Sequence, residues 1–222
     1  MALLRQRLQS VRDGASSAPA GLKLDVVNGF EGVTSASLAS GALGECNSTS
    51  TVAYGPNQTN PIAGSEDARI DFTFRDQSEN ASDAWQQWAD VNFAFQGWSV
   101  DLVKAGITEI HFTARADQSR TVRVDIASPN NSQTNQGICL GWDVPLTAQP
   151  TAVVVKLVNA AIPGWAATRP NPPHDDPKAV FGTATGVVFR PQPVGVGSSG
   201  FFPPGTTDTG FVQIDDVSFV SQ

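Results

Sequence analysis

The sequence is short of charge. Lysine, arginine, aspartate and glutamate make up 16 % of its 222 residues, against about 25 % in an average globular chain, and lysine is the scarcest of the four. With Gly 20 and Pro 15, such a composition leaves little for solvated helix faces and favours strands and turns. The charge that is present sums to −7, and no basic cluster interleaved with aromatics offsets it, so a nucleic-acid backbone is excluded as a partner. No apolar run reaches the ~18 residues that cross a bilayer, and no membrane span is expected. Histidine and cysteine number two each. That excludes a Cys/His metal cage and leaves one pairing, Cys46 with Cys139, as a disulfide or as two ordinary buried thiols. Serine is plentiful, but no Gly-x-Ser-x-Gly nucleophile elbow occurs.

What the sequence does contain is a texture of short apolar segments punctuated by Gly, Pro, Asn, Asp and Ser. Its opening, MALLRQRLQSVRDGASSAPAGLKL, lacks the long apolar core of a signal peptide, so an intracellular chain or one cut from a longer precursor is expected. Leu4, Leu8 and Val11 share one face of a short helix that SSAPAG breaks, and residues 1–21 read as a leader or linker. Residues 22–222 read as a single domain, since an all-β core of this length need not split. Strands are predicted at 23–30, 65–74, 89–96, 108–116, 120–128, 151–158, 183–190 and 210–220, the signature of a sandwich or barrel. The stretch PGWAATRPNPPHDDP, 163–177, is too rich in proline for a helix or central strand and is expected to be a long surface loop, as is 191–210. Asn47, Asn57, Asn80 and Asn130 open Asn-x-Ser/Thr triplets, which a chain rich in these residues produces by chance.

Two strands show clear alternation. Ile110, Phe112 and Ala114 oppose His111, Thr113 and Arg115, and Val122, Val124 and Ile126 oppose Thr121, Arg123 and Asp125. Each polar face is either solvated sheet surface or the floor of a polar ligand's site. In the last strand, GFVQIDDVSFV, the adjacent Asp215 and Asp216 point to opposite faces. Phe211, Val217 and Phe219 are the bulkier set, which makes Asp215 the inward carboxylate. A buried carboxylate is costly unless partnered. Ca²⁺, which takes six to eight oxygen ligands, is one partner; Glu31 after the first strand and Asp67 in AGSEDARI are further oxygen donors. The alternatives are that Glu31 and Asp67 are solvated turn residues and that Asp215 accepts backbone N–H groups. His174 with Asp175 and Asp176 is a polar loop or a second metal-binding cluster.

Taken in order, FEG at 30–32, a Gly-Ser turn before ARIDFTF, GITEIHFTARAD, TVRVDIAS, GICLGWDVPLTA, a Gly-Trp loop and GFVQIDDVSFV resemble the jelly-roll carbohydrate-binding modules. The likeness spans about 24–220 and is greatest to the family 11-type modules attached to bacterial glycoside hydrolases, galactose-binding-like β-sandwiches. It implies an all-β fold of two stacked antiparallel sheets, a structural calcium on Glu31 and Asp215 with Asp67 beside them, and a polysaccharide groove on the outer face of the concave sheet. It further implies a secreted, non-catalytic accessory of a glycoside hydrolase, with β-glucan or a related polysaccharide as partner. The chain departs from the pattern at Cys139-Leu-Gly-Trp142-Asp143, where many relatives carry Cys-x-x-Cys, and in the length of 191–210. Sugars need aromatic platforms and planar polar groups, and the expected set is Arg123 and Asp125, His111 and Arg115, and Trp88 and Trp142. Trp85, Trp98 and Trp165 are assigned to the core or to loop anchoring, and Tyr54 to the border of the groove. Two other readings stand beside this one: a jelly-roll hydrolase or lyase acting in the same groove, and an adhesion sandwich without a sugar ligand.

Overall fold

Ile110, Phe112, Ala114 and Ala116 leave one side of a single strand, and all four are buried. An alternation this clean allows only one face to reach a core, so a second layer has to cover it. The computed structural model describes residues 23–27, 42–46, 51–75, 89–94, 99–130, 140–167, 175–195 and 206–221. Their strands are β1 (Lys23–Val27), β2 (Ala42–Cys46), β3 (Thr51–Asn57), β4 (Asp67–Arg75), β5 (Ala89–Ala94), β6 (Ile107–Ala116), β7 (Arg120–Ala127), β8 (Gly141–Leu146), β9 (Thr151–Lys156), β10 (Gly186–Pro191) and β11 (Thr207–Ser221). They form a six-stranded sheet ordered β3-β4-β11-β6-β9, with β1 also beside β11, and a five-stranded sheet ordered β2-β5-β10-β7-β8. Every pairing is antiparallel. Consecutive strands such as β6 and β7, or β10 and β11, lie in different sheets, the connectivity of a jelly-roll sandwich.

The inner faces meet through aromatic rings. Phe112 of the six-stranded sheet stands edge-on to Phe189 of the five-stranded one, with centroids 5.4 Å apart, and Phe93 packs on Phe189 in the same way at 5.7 Å. Two short helices follow β9: α1 (Gly164–Ala167) and α2 (Pro177–Gly182). The proline-rich stretch predicted to be loop throughout thus contains one helical turn. Its last residue, Pro177, opens α2, where a missing N–H costs nothing, and the Asp176 side chain caps it by accepting from the Lys178 N–H at 3.0 Å.

β11 departs from the predicted facing. Val212 and Ile214 are the inward residues of its first half, whereas Val217 and Phe219 are inward in its second half. The switch occurs at Asp216, whose φ of 53° places it in the left-handed region, and the ladder to β6 shifts register between Asp215 and Ser218. An extra residue of this kind is a β-bulge, and it reverses which side chains look inward. Asp215 therefore lies on the outer face, opposite Thr113 in register, and yet is only 2 % exposed.

One arginine ties the sheets together at an end of the sandwich. Arg120 opens β7 in the five-stranded sheet, and its guanidinium lies 4.6 Å from the centroid of the Phe72 ring in the six-stranded sheet. It donates to Asp208 at 3.0 and 3.1 Å, to Asp117 at 2.8 and 3.1 Å, and to the Gln192 carbonyl at 3.1 Å. A guanidinium is the cation suited to such a place, because its fork of donors can satisfy two carboxylates at once.

Candidate functional site

β6 and β7 are neighbours in sequence but not in a sheet, so their polar faces look out from opposite sides of the sandwich. The residues expected to act together are therefore split into two groups. His111 and Arg115 lie on the six-stranded side. There His111 Nε2 is 2.8 Å from Glu109 Oε2, a contact that holds the Glu109 carboxyl below its usual range, aided by Lys156. Arg115 donates to Gln213 at 2.5 Å and to the Asn60 carbonyl at 2.7 Å. Arg123 and Asp125 lie on the five-stranded side.

Trp142 lies on neither outer face. It stands opposite Val124 in register, so it points into the core, where its ring stacks on Phe181 at 6.5 Å and its indole N–H donates to the Lys156 carbonyl at 2.9 Å. Alternation alone dictates this, because the polar partner of Arg123 in β8 is Asp143, the next residue. Tyr54 packs against the core as well. Trp88, Trp85, Trp98, Glu31, Cys139 and His174 lie outside the described residues, as do the side chains of Cys46 and Trp165.

The outer face of the five-stranded sheet carries a charged ladder running across its strands. Starting from β5, Asp90 receives Arg190 of β10 through Nε at 3.1 Å and a terminal nitrogen at 2.9 Å. Arg190 Nη1 is 3.8 Å from Asp125 Oδ2 in β7. Asp125 Oδ1 accepts from Arg123 Nε at 2.7 Å, and Arg123 in turn reaches Asp143 of β8 at 3.3 Å and the carbonyl of Ala161. Exposure is concentrated at the far end: Asp143 is 54 % exposed and Arg190 15 %, while Arg123 is 3 % and Asp125 0 % exposed. Arg123 and Asp125, expected to meet a ligand, thus form the floor of this face. Asp90, Arg190 and Asp143 were not singled out from the sequence. The signal was there in part, since Asp90 and Asn92 alternate with core-facing Val91 and Phe93, and Arg190 follows core-facing Phe189.

Asp125 is held unusually tightly. A Cβ on Gly141 would come within 2.4 Å of its Oδ1 and 2.1 Å of the Val124 carbonyl, so only glycine lets β8 close over this carboxylate. Its Oδ2 and the Oδ1 of Asn92 are buried without a hydrogen bond. Burial raises the Asp125 carboxyl to about 6, against the pull of Arg190 and Arg123 and with a further push from Asp90.

The expected calcium ligands fare differently. Asp67 faces the register position next to Ile214, beside Asp215, which brings two of the three together on the outer face. Both Asp67 oxygens, however, are taken by N–H donors: Asn57 Nδ2 at 2.8 Å, the Ile62 N–H at 2.7 Å, and Gln213 Nε2 at 3.0 and 3.3 Å. Donors so arranged occupy the lone pairs a cation would use, so Asp67 does not fit a calcium site. Asp215 Oδ1 accepts the Asp216 N–H at 2.8 Å. Among the described residues, no group of three His, Cys, Asp or Glu is placed to hold a metal.

This architecture has close counterparts among solved structures. A family 11 carbohydrate-binding module from Clostridium thermocellum, in complex with a β-1,3-1,4-mixed-linked tetrasaccharide, aligns with 92 % of this chain and 98 % of its own, with a TM-score of 0.56 and 9 % identity. The family 11 module of a cellulosomal cellulase of the same organism covers 93 % and 97 %, with a TM-score of 0.56 and 10 % identity. The sandwich has the fold of a family 11 carbohydrate-binding module. The family 30 module of another C. thermocellum cellulosomal cellulase shares that fold, with a TM-score of 0.55, 12 % identity and coverage of 90 % and 98 %. No family model and no curated protein sequence matches the chain. The fold is thus shared at 9–12 % identity, as happens when side-chain alternation and sheet order, rather than particular residues, carry an architecture.

Proposed function

We propose that the chain is a non-catalytic carbohydrate-binding module that takes a β-glucan-type polysaccharide on the outer face of its five-stranded sheet. The observation carrying this reading is the ladder Asp90–Arg190–Asp125–Arg123–Asp143, in which acceptor and planar donor alternate and which reaches solvent at Arg190 and Asp143. Vicinal sugar hydroxyls are both donors and acceptors, and a rigid, pre-paired set of carboxylates and guanidiniums receives them without being reordered. Support also comes from the fold shared with a module solved with a β-1,3-1,4-linked tetrasaccharide and with modules of cellulases. An accessory role beside a secreted glycoside hydrolase belongs to the same proposal.

Affinity electrophoresis against mixed-linked β-glucan, xyloglucan, xylan and mannan, with each mixture assayed for reducing sugar, tests it. Retardation without sugar release is expected; release would put a jelly-roll hydrolase or lyase first, and neither would leave an adhesion sandwich. Calcium on Asp215 and Glu31, without Asp67, completes the proposal. Its support is the 2 % exposure of Asp215 on the strand that also pairs with β1. Chelator should lower the melting temperature by several degrees, and an unmoved melting curve overturns the metal.

A further inference from the structure

Asp125 has no exposed surface and so cannot meet a ligand, yet it stands at the centre of the charged ladder. Arg123 reaches it from its own strand through Nε at 2.7 Å, and Arg190 faces it from β10 at 3.8 Å. Asp90 faces it from β5 by way of Arg190, and Asp143 of β8 by way of Arg123. Gly141, its cross-strand partner in β8, leaves room for its Oδ1 that a side chain would fill. Its Oδ2 makes no hydrogen bond, so its hold on Arg190 is that of charge on charge rather than of a satisfied donor–acceptor pair. Such a hold disappears when the carboxylate takes a proton, whereas a hydrogen-bonded structural carboxylate retains part of its contact.

We propose that Asp125 is a positioning residue, whose negative charge orients Arg190 directly and Asp143 through Arg123, so that the partly exposed Arg190 and the exposed Asp143 meet the sugar in a fixed geometry. The proposal rests on the reading of this face as the sugar face. Burial places the Asp125 carboxyl at about 6, within reach of an ordinary titration. Because the folded value is raised, protonation favours the fold, so acidification from pH 7.5 to 5 releases the hold on Arg190 and weakens that on Arg123 while making this site's contribution to stability more favourable. Binding and stability therefore move in opposite directions over the same range, which a merely structural role would not produce.

The test is a pH titration of the full chain labelled with ¹⁵N, following the Nε–H resonances of Arg123 and Arg190, alongside affinity for mixed-linked β-glucan. The two resonances should shift with one common midpoint in the wild type and stay flat in Asp125→Asn. Affinity of the wild type should fall about tenfold from pH 7.5 to 5, the loss expected for one charge-assisted contact. Asp125→Asn should be weak and flat with pH, while Asp143→Asn should be weak but keep the wild-type midpoint. Resonances that do not move in the wild type, or wild-type affinity with an unchanged pH profile in Asp125→Asn, overturn the proposal; the wild-type titration needs no variant to fold. Resonances that move together in a chain that no polysaccharide retards uphold the positioning role and remove the sugar reading instead.

Discussion

Among the described residues, the outer face of each sheet holds one aspartate with no exposed surface, and the two are held by opposite means. Asp67, on the six-stranded side, is surrounded by neutral donors: an asparagine amide, a glutamine amide and a backbone N–H. Arg115 acts on it through charge alone and donates instead to Gln213. Asp125, on the five-stranded side, stands between two guanidiniums and leaves one oxygen without a hydrogen bond. Burial raises both carboxyls. The amide shell compensates Asp67 with geometry, which closes that region; the ionic shell compensates Asp125 with charge, which can be altered by a proton or a partner. A saturated carboxylate serves as a fastener, and an unsaturated one is where responsiveness resides.

Three measurements can break or sharpen this contrast. The largest effect is expected where neither face takes part: Trp142→Ala should cost about 3–5 kcal/mol in chemical denaturation, as a core tryptophan does. Were the residue a sugar platform instead, stability would hold while affinity fell. Next, Asp67→Ala strands the buried amides of Asn57 and Gln213 and the Ile62 N–H and should cost about 3 kcal/mol, while Asp125→Asn should leave stability nearly unchanged or raise it; equal losses from both would erase the difference between the two faces. The smallest effect is the pH dependence. With the folded Asp125 carboxyl at about 6 against an ordinary 3.8, stability attached to it is full below the ordinary value and lost as pH rises through 6. Lowering the pH from 7 to 5 should therefore add about 1 kcal/mol, a rise of about 2–4 °C in melting temperature for a chain of this size. Asp67, raised as well, acts with the same sign. A melting temperature that falls over this range would mean that neither carboxyl is raised.

How much of this was legible in the sequence depended on where each strand sits. Central strands such as β6, β7 and β11 were found because both their neighbours demand regular alternation. The strands that were missed, β2, β3 and β8, are three of the five strands that pair with a single neighbour. β3 contains Pro56 and β8 contains Pro145, and an edge strand tolerates proline because half its N–H groups have no ladder to join. Within the site, the alternation placed Arg123 and Asp125 together, but periodicity carries no information about which sheet a strand enters. His111 and Arg115 were grouped with them for that reason. The inward reading of Asp215 failed on a single residue: one left-handed aspartate reverses the facing of everything after it, and an aspartate is among the few non-glycine residues that adopt that conformation readily.

The Arg120 junction has a consequence for how this chain can change over time. Its guanidinium holds the Gln192 carbonyl and Asp208, and Asp208 Oδ2 also accepts the Val194 N–H at 2.8 Å. The chain is thereby fastened immediately before and immediately after the stretch that joins β10 to β11, at one shared point beside both sheets. Held there, the two strand ends do not depend on the length of the chain between them, and closing a longer loop adds only about 0.6 kcal/mol per doubling. The end of β10 and the start of β11 are therefore held by Arg120 itself, and lengthening the connection between them should leave both strands in place.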